Sequence, residues 1–585
     1  MRFLRLQFDE PLMTEQRTSP AAVPPGRVPD WLLPLGLSLF LSLLVVLPFF
    51  WYGTASGHDF EFHAASWFDA AWQWKQGVLY PRWTVSANHG FGEPRFLFYP
   101  PLSWMLGAAL TCLVPDAAVP IVFIVLVQTL AGLSAFFLLR NLASRRAAIL
   151  GAACYLANPN ALLIVYIRSD FAEQLACAFF PLLLLAALRL AGLCENPRRH
   201  RSAVALFAIP FALIWLSNAP AGVIASYSMA LLFAWAALSA RSFGPVVRGA
   251  SGLALGLGLT CFYLVPAAYE QRWVNIGQAL SSGLVPSQNF LFTEINDPEH
   301  TWFNWIASFC ALSLILLFAL TALVSRRFAA HASRQNRSAY LALLVLGAAS
   351  TLLTLRYTAP LWTYLPKLRF VQFPWRWMSV IALIAACFLA LAMEKRRGWL
   401  WFVALVLLSV PLARFQVENT WWDGDEMPTM RDALDSGQGF DGTDEYDPRG
   451  DDHLDLPPSA PLAKILAADS ADSSVPGATL EIPHWSPEHK EIRVASPSAA
   501  RVALRLLNYP AWRVTVNGQP VSTERMDDVN QMVVPVGPGS SEIVVDFLRT
   551  PDRKLGNALS ACSALLAAFL LWGGRKSSLK QRPPQ

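Results

Sequence analysis

The first 414 residues carry long apolar runs separated by short basic loops. A helix needs roughly 20 residues to cross about 30 Å of hydrocarbon. Eleven runs reach or approach that length: 31–52, 119–139, 147–166, 174–193, 202–218, 221–239, 249–267, 301–324, 338–355, 376–393 and 398–414. A twelfth lies near 555–573. The run 97–114 stands apart, opening with Tyr99, Pro100 and Pro101 and stopping early at Pro115. From about residue 478 the period falls to two, through EIRVAS, RVALRLLNY, WRVTVNGQPV, QMVVPV and SEIVVDF. Asn517-Gly518, between WRVTV and QPV, is a strong hairpin signal. The pattern predicts a polytopic α-helical membrane protein of about 12 transmembrane helices, with a C-terminal antiparallel β-sandwich.

Charge decides how 97–114 is treated, because short cytoplasmic loops carry an excess of Lys and Arg. If 97–114 spans, the loops with Arg140, Arg145 and Arg146, and with Arg198, Arg199 and Arg201, fall outside. If it lies along or dips into the outer surface, those loops fall inside. So do Arg241/Arg248, Arg326/Arg327/Arg334/Arg337, Lys395/Arg396/Arg397 and the tail Arg575/Lys576/Lys580/Arg582. The second arrangement places both termini in the cytoplasm. The first span follows a polar arm (1–30) and lacks a small-residue cleavage site, so it reads as an uncleaved anchor.

Composition agrees: the 585 residues are 54% hydrophobic and only 15% charged, against about 25% charged in soluble domains. That excludes a disordered chain. A net charge of +5, from 46 basic and 41 acidic residues, is weak for a nucleic-acid binder, and no nucleic-acid partner is expected. The eight cysteines sit in or beside apolar segments without a CxxC pair and read as small hydrophobes, not as a disulfide scaffold.

Three regions are then extracytoplasmic: 53–118, 268–300 and about 415–553. In the first, 60–77 carries Trp67, Trp72 and Trp74 and suits a helix lying in the interface. The stretch 415–477 holds twelve acids from Asp423 to Asp455 with Gly and Pro interspersed, and reads as a solvated linker without EF-hand spacing. The sandwich occupies 478–553, without clustered catalytic residues, and 554–585 holds the last helix and basic tail.

The densest polar cluster is GHDFEFH at 57–63, with His58, Asp59, Glu61 and His63. On a helix Asp59 and His63 share a face. Such residues are cheap at an interfacial helix end, but four titratable groups together also suit proton transfer or cation binding. The spacing has no strong zinc signature. Arg82 in YPRW, and Asn88, His89, Glu93 and Arg95 in ANHGFGEPRFLFYPPL, keep the same loop polar, with Pro100-Pro101 starting a helix. After the third span, YIRSDFAE supplies Arg168, Asp170 and Glu173, for which a purely structural ion pair is the alternative. Before the tenth, LPKLRFVQFPWRW supplies Lys367, Arg369, Gln372 and Arg376 among aromatics, either as interface anchors or as a lipid-phosphate site. All of these open on one side. A carboxylate facing cations at a membrane surface suits reaction on a lipid-linked phosphate: the acid takes a proton from an acceptor hydroxyl while cations stabilise the leaving group. No Walker A, GxSxG, HExxH or Rossmann signature occurs in a supportive context.

An Asp shortly after the first span, juxtamembrane helices in the first outer loop, a Pro-Pro helix start and a third span ending in Arg-x-Asp resemble the GT-C glycosyltransferases. The closer resemblance is to bacterial membrane proteins described as related to 6-pyruvoyl-tetrahydropterin synthase, and to the YfhO-like group. GHDFEFH, YPRW, GFGEPRFLFYPPL, YIRSDFAE and FVQFPWRW carry it, and NYPAWRVTVNGQPV with VVPVGPG resembles the extracytoplasmic end of the YfhO-like proteins. Nothing resembles a soluble pterin enzyme with its histidine-bound zinc. The resemblance implies a GT-C-like body over 31–414 with a catalytic outer loop, 53–118, in the bacterial inner membrane. It also implies sugar transfer from a polyprenyl-phosphate-linked donor to an extracytoplasmic glycan, lipid or protein acceptor. By position, Asp59 matches the catalytic base or metal-holding acid, Arg168 with Asp170 a second site, and Arg376 with Arg369 a donor-phosphate site. The expected catalytic residues are thus Asp59, Glu61 and Asp170. His58, His63, Arg82, His89, Arg95, Tyr99, Arg168, Glu173, Arg369 and Arg376 are expected to bind substrate, and Asp59 and His63 are candidate ligands for Mg²⁺ or Mn²⁺. Two other classes stay open. A transporter or lipid flippase expects ionisable residues at mid-membrane, and they are scarce here: span interiors hold Gln128, Asn158 and Asn160 but hardly a charge. A non-catalytic assembly protein would display its β-domain.

Overall fold

A computed structural model describes residues 29–194, 200–331, 333–394, 399–450, 456–468, 474–526 and 530–579. The N-terminal arm up to residue 28 lies outside the described residues, as do Arg198, Arg199, Lys395, Arg396, Arg397, Asp451, Asp452, Asp455, Lys580 and Arg582.

Nine helices among the described residues are long and apolar enough to cross a membrane: Leu32–Tyr52, Asp116–Leu139, Arg145–Arg168, Phe171–Ala191, Ala219–Ala240, Pro298–Arg326, Gln335–Leu353, Pro374–Met393 and Pro551–Trp572. Ser202–Ser217 is shorter, and the 20-residue helix Trp399–Glu418 is described only in part. The expected straight span over 249–267 is instead a pair, Gly244–Leu259 and Cys261–Trp273, bent by 75°. Counting that pair, ten of the twelve expected spans pass by length and composition among the described residues. The run 97–114 yields only the 11-residue helix Pro101–Thr111, too short to span.

The elbow has a physical cause in the last helix. There Ser560 Oγ lies 3.1 Å from both the Gly258 and Leu259 carbonyl oxygens and accepts the Phe262 N–H at 2.8 Å. It thereby satisfies backbone groups that a break in the helix frees. Gly556 permits the approach, since a Cβ there would stand 2.5 Å from the Cys261 carbonyl oxygen.

Basic turns collect at one end of the bundle. Arg145 Nη2 reaches the Asp30 carbonyl, Arg189 Nη2 reaches Asn141, and Arg248 Nε reaches the Leu190 carbonyl. The opposite end brings the first loop against 167–169 and 441–447, and 276–280 against Gln372.

The strand-rich region begins ahead of 478, with Ala463–Ala467 in the stretch expected to be linker. One antiparallel sheet runs Ala463–Ala467, Ala500–Leu507, Gln531–Val536, Glu524–Arg525. The other runs Thr479–Trp485, His489–Ser496, Gly539–Phe547, Trp512–Val516, Gln519–Pro520. The expected hairpin forms, with Asn517 and Gly518 both at positive φ (51° and 77°) and Val516 opposite Gln519. Alternate residues of both sheets (Ile492, Val494, Val514, Ile543 and Val545 from one; Val502, Leu504, Met532 and Val534 from the other) share one buried cluster.

That cluster also takes in Trp83, Phe91, Leu97, Phe98 and Val274, so the sheets pack directly on the membrane body. Trp83 stands 5.6 Å from the rings of both Tyr509 and Trp512, which places the NYPAW motif at the joint. Glu270 rivets the same joint. Arg553 grips it with Nε–Oε1 at 2.7 Å and Nη2–Oε2 at 2.8 Å, and Tyr509 Oη donates to Oε2 at 2.7 Å.

Two expectations need correction. The aromatic helix Phe60–Lys75 is a core element, not an interfacial one, with Phe60, Trp67, Phe68 and Asp69 buried. Asp69 is satisfied inside, accepting from Ser86 N at 2.7 Å and Gln73 Nε2 at 2.6 Å. Gly107 leaves room for Trp67, whose ring would lie 2.2 Å from a Cβ. Nor is the acidic stretch simply solvated. Its helix Glu426–Asp435 pins Arg431 to Asp116 at 2.9 and 3.0 Å. Asp447 is fully buried, accepting from Asn88 Nδ2 at 2.6 Å. All eight cysteines are free.

Candidate active site

The chain segment 54–60 is laid along the end of the third span. Asn158 caps the short helix Pro159–Leu163, accepting from Asn160 N and Ala161 N at 3.0 and 3.1 Å. The helix then widens into a π turn, Ile164–Arg168, a local form often found at functional sites. Ser169 follows at φ 50°, left-handed for a residue with a side chain. Its hydroxyl donates to Ala55 O at 2.7 Å and accepts from Gly57 N at 3.0 Å, while Asp59 N donates to Arg168 O at 2.9 Å. Only glycine fits at 57, since a Cβ would stand 2.3 Å from the Ile167 carbonyl oxygen. The first residue of GHDFEFH is therefore what brings the third against Arg168.

Asp59 sits at the N-cap of Phe60–Lys75 without capping it. Its Oδ2 accepts from Arg168 Nη2 at 3.0 Å. The same Nη2 bonds Asp170 Oδ2 at 2.7 Å, and Nη1 bonds Glu173. Arg376 closes the set, with Nε 3.1 Å from Glu173 Oε2 and Nη2 3.7 Å from Asp170 Oδ2. Its Nη1 donates to Val371 O at 3.0 Å and Gln372 Oε1 at 3.1 Å. Asp170 is in turn fixed as the N-cap of Phe171–Ala191, accepting from Glu173 N at 2.8 Å. Burial alone would raise the Asp170 pKa, but Arg168 and its neighbours outweigh burial and hold the carboxyl well below the usual carboxylate range.

Two buried guanidinium groups thus face two buried carboxylates, a balanced quartet. Asp59 is the acid left over. Its side chain is 39% exposed, against 2% for Arg168 and Asp170, and it opens on a cavity of about 1210 Å³. His58, Tyr99, Arg168, Asp170 and Arg376 line the same cavity. Its aromatic wall includes Trp375, over whose ring Arg168 lies at 5.0 Å, and Phe373, against Arg376 at 4.8 Å.

Six of the thirteen sequence candidates therefore meet here. Glu173 lies directly behind, between the two arginines. His63 is buried with Nε2 3.7 Å from Asp170 Oδ1. The remaining five do not join. Glu61 is exposed and lines no part of the cavity. Arg369 is exposed, with its guanidinium 5.1 Å from the Phe370 ring at the rim. Arg95 is held by Glu93 at 2.5 Å and Thr443 at 3.1 Å. His89 meets Asp441 at 3.3 Å and gives its carbonyl to Arg505. Arg82 lines a separate, smaller cavity. These three fasten the first loop to later parts of the chain or face elsewhere, which is why the loop is so polar.

Sequence reasoning missed Glu445 and His300 on the cavity wall. Burial pushes the Glu445 carboxyl up to about 7. Nothing in the run of acids around it separates Glu445 from its neighbours; its place is set by Tyr446, which stacks on Phe98 at 5.8 Å. Among the described residues no group of three or more His, Cys, Asp or Glu could hold a metal ion. The candidate pair does not converge, because Asp59 turns to Arg168 and His63 to Asp170. A guanidinium 3.0 Å from Asp59 also opposes a second cation there.

Residues 96–418, more than half of the chain, match the profile of the 6-pyruvoyl-tetrahydropterin synthase related domain, a membrane-protein family. No curated protein sequence matches the chain. Among solved structures, the chain is similar to the Archaeoglobus fulgidus oligosaccharyltransferase in its apo form, at 16% identity and a TM-score of 0.40, covering 67% of this chain and 56% of that one. The same enzyme tethered to an acceptor peptide with an NVT sequon gives 16% and 0.41, over 70% and 58%. AglB from that organism, with an inhibitory peptide and a dolichol-phosphate, gives 16% and 0.39, over 67% and 56%. The chain spans less than three-fifths of the length of these structures.

Proposed function

The chain belongs to the 6-pyruvoyl-tetrahydropterin synthase related family of membrane proteins, and from that premise we propose that it is a GT-C-type membrane glycosyltransferase. It transfers a sugar from a polyprenyl-phosphate-linked donor to an acceptor hydroxyl or amide in the Asp59 cavity, on the extracytoplasmic side of a bacterial inner membrane. The observation that carries the reading is the charge arrangement: a balanced buried quartet with one surplus, half-exposed carboxylate, Asp59, at the wall of a large cavity.

In this reading the acceptor oxygen or nitrogen forms a bond to the sugar C1 as the C1–O bond to phosphate breaks. Asp59 takes the acceptor proton, and the polyprenyl phosphate leaves with the bonding electrons. The cavity edges of Arg168 and Arg376 face the developing phosphate charge, while Asp170 and Glu173 hold their other edges in place. Aromatic rings along the wall suit stacking on a sugar face and contact with the prenyl chain. No step is routed through a metal.

The test uses purified full-length protein in lipid nanodiscs with radiolabelled polyprenyl-phosphate sugars and a panel of hydroxyl and amide acceptors. Product is expected from wild type, with Asp59→Asn reducing turnover by about 10²-fold or more at unchanged folding. Equal turnover by Asp59→Asn sinks the mechanism.

A further inference from the structure

A second cavity, about 430 Å³, lies where the turn Gly77–Arg82, the elbow at Phe262 and the junction of the last strand with the final helix meet. Its lining holds four cations, Arg82, Arg549, Arg553 and Lys554, against one acid, Glu488. Arg553 is committed to Glu270. No carboxylate engages the other three within salt-bridge distance among the described residues. Arg82 is half-buried and, among the described residues, makes two contacts at 3.5 Å to the Phe262 carbonyl, besides the Tyr80 ring at 4.5 Å. A desolvated guanidinium so poorly matched is stabilised by an anion. Burial accordingly lowers the Arg82 pKa.

The rim is apolar. Leu79, 76% exposed, and Leu548, also exposed, belong to its lining. Pro551 opens the final candidate span, so Lys554 sits in its first turn. A cationic recess edged by Leu79 and Leu548 at the start of a span has the chemistry to take an anionic amphiphile: phosphate within, acyl chains over the two leucines. Simple interface anchors would need no recess.

We propose that this cavity binds the phosphate of an anionic phospholipid headgroup, clamping the sheet region and final helix to the elbow. The proposal is independent of glycosyl transfer. Its ligand chemistry, a phosphate on cations, could also be met by free phosphate, so the test separates the two.

Delipidated full-length protein in neutral detergent is titrated with short-chain phosphatidylglycerol, short-chain phosphatidylcholine or inorganic phosphate, and thermal unfolding is followed. Phosphatidylglycerol is expected to raise the midpoint with saturation, and the other two to leave it unmoved. In Arg82→Gln/Arg549→Gln/Lys554→Gln the half-saturating concentration should rise by about fivefold for each cation removed. If the triple variant fails to fold, Arg549→Gln and Lys554→Gln, both at exposed positions, should each show about fivefold. Unchanged phosphatidylglycerol affinity in the variants overturns the proposal. Equal stabilisation by phosphatidylcholine also overturns it, and equal stabilisation by inorganic phosphate overturns the lipid assignment.

Discussion

Gly57→Ala tests whether the first residue of GHDFEFH positions the acid two residues on. The new Cβ would lie 2.3 Å from Ile167 O, 2.7 Å from Ile167 C and 2.8 Å from Arg168 C. An ordinary carbon–oxygen contact is about 3.3–3.6 Å. The segment must therefore retreat by about 1 Å, because backbone on a packed span cannot yield as a side chain would. That retreat stretches two hydrogen bonds, Gly57 N to Ser169 Oγ at 3.0 Å and Asp59 N to Arg168 O at 2.9 Å, and the Asp59–Arg168 ion pair. Overpacking costs about 1–3 kcal/mol and each lost hydrogen bond about 1 kcal/mol, a total of about 3–5 kcal/mol. The thermal midpoint, read by tryptophan fluorescence in detergent, should fall by several degrees. Transfer should fall by about 10²-fold, since a displacement of this size ruins alignment. Gly277→Ala is the control, as a Cβ there meets nothing within 4 Å. A Gly57→Ala protein that matches wild type in midpoint and turnover refutes the positioning argument.

Removing Glu173 leaves Arg168 and Arg376 facing one buried acid, so Glu173→Gln should destabilise by about 3–5 kcal/mol, seen as a lower midpoint and poor membrane yield. The Glu445 carboxyl, ordinarily near 4.5, is pushed up to about 7 in the folded chain. Its contribution to stability is full below about pH 4.5 and is lost as pH rises through about 7, with a swing of up to about 3 kcal/mol, less where solvent screens it. The midpoint of Glu445→Gln should therefore rise relative to wild type between pH 5 and 7.5, and parallel profiles would contradict this. Ser560→Ala removes the hydroxyl that bridges the elbow and should cost about 1–3 kcal/mol, read as a lowered midpoint with the family-matched body otherwise intact.

The spans were legible because their apolar runs are long and their charges sorted. The elbow was not, since the hydroxyl that stitches it stands about 300 residues downstream at Ser560. Alternation from 478 onward, and Asn517-Gly518, gave strands and a hairpin that the structure contains, but the edge strand Ala463–Ala467 is hidden behind an acidic prelude. Helix Phe60–Lys75 reads as interfacial because of its tryptophans. It is buried because residues 426–435 and Pro101–Thr111 cover it, and neither covering is local in sequence. At the site, the Arg168, Asp170 and Arg376 cluster was readable from charges lying near apolar ends. His89 and Arg95 carried the same signal without the same place, because a polar loop fastened by ion pairs looks like a polar loop that binds, and Arg82 lines the second cavity instead. Glu445 was invisible for the opposite reason, one acid among twelve.

The segment 441–447 gives the cavity part of its wall, and it is held there by the first outer loop, through Thr443 N–H to Glu93 and Asn88 to Asp447. During synthesis the ribosome completes Asp59, Arg168 and Arg376 long before it reaches Glu445 and Tyr446. A nascent chain holding every span up to 418 therefore has its acid and both arginines but an open vault. Closure waits until Thr443 N–H finds Glu93 at 2.8 Å. The fold itself acts as a timer: the site is completed only when the segment that follows the helix ending at Glu418 has been made and docked.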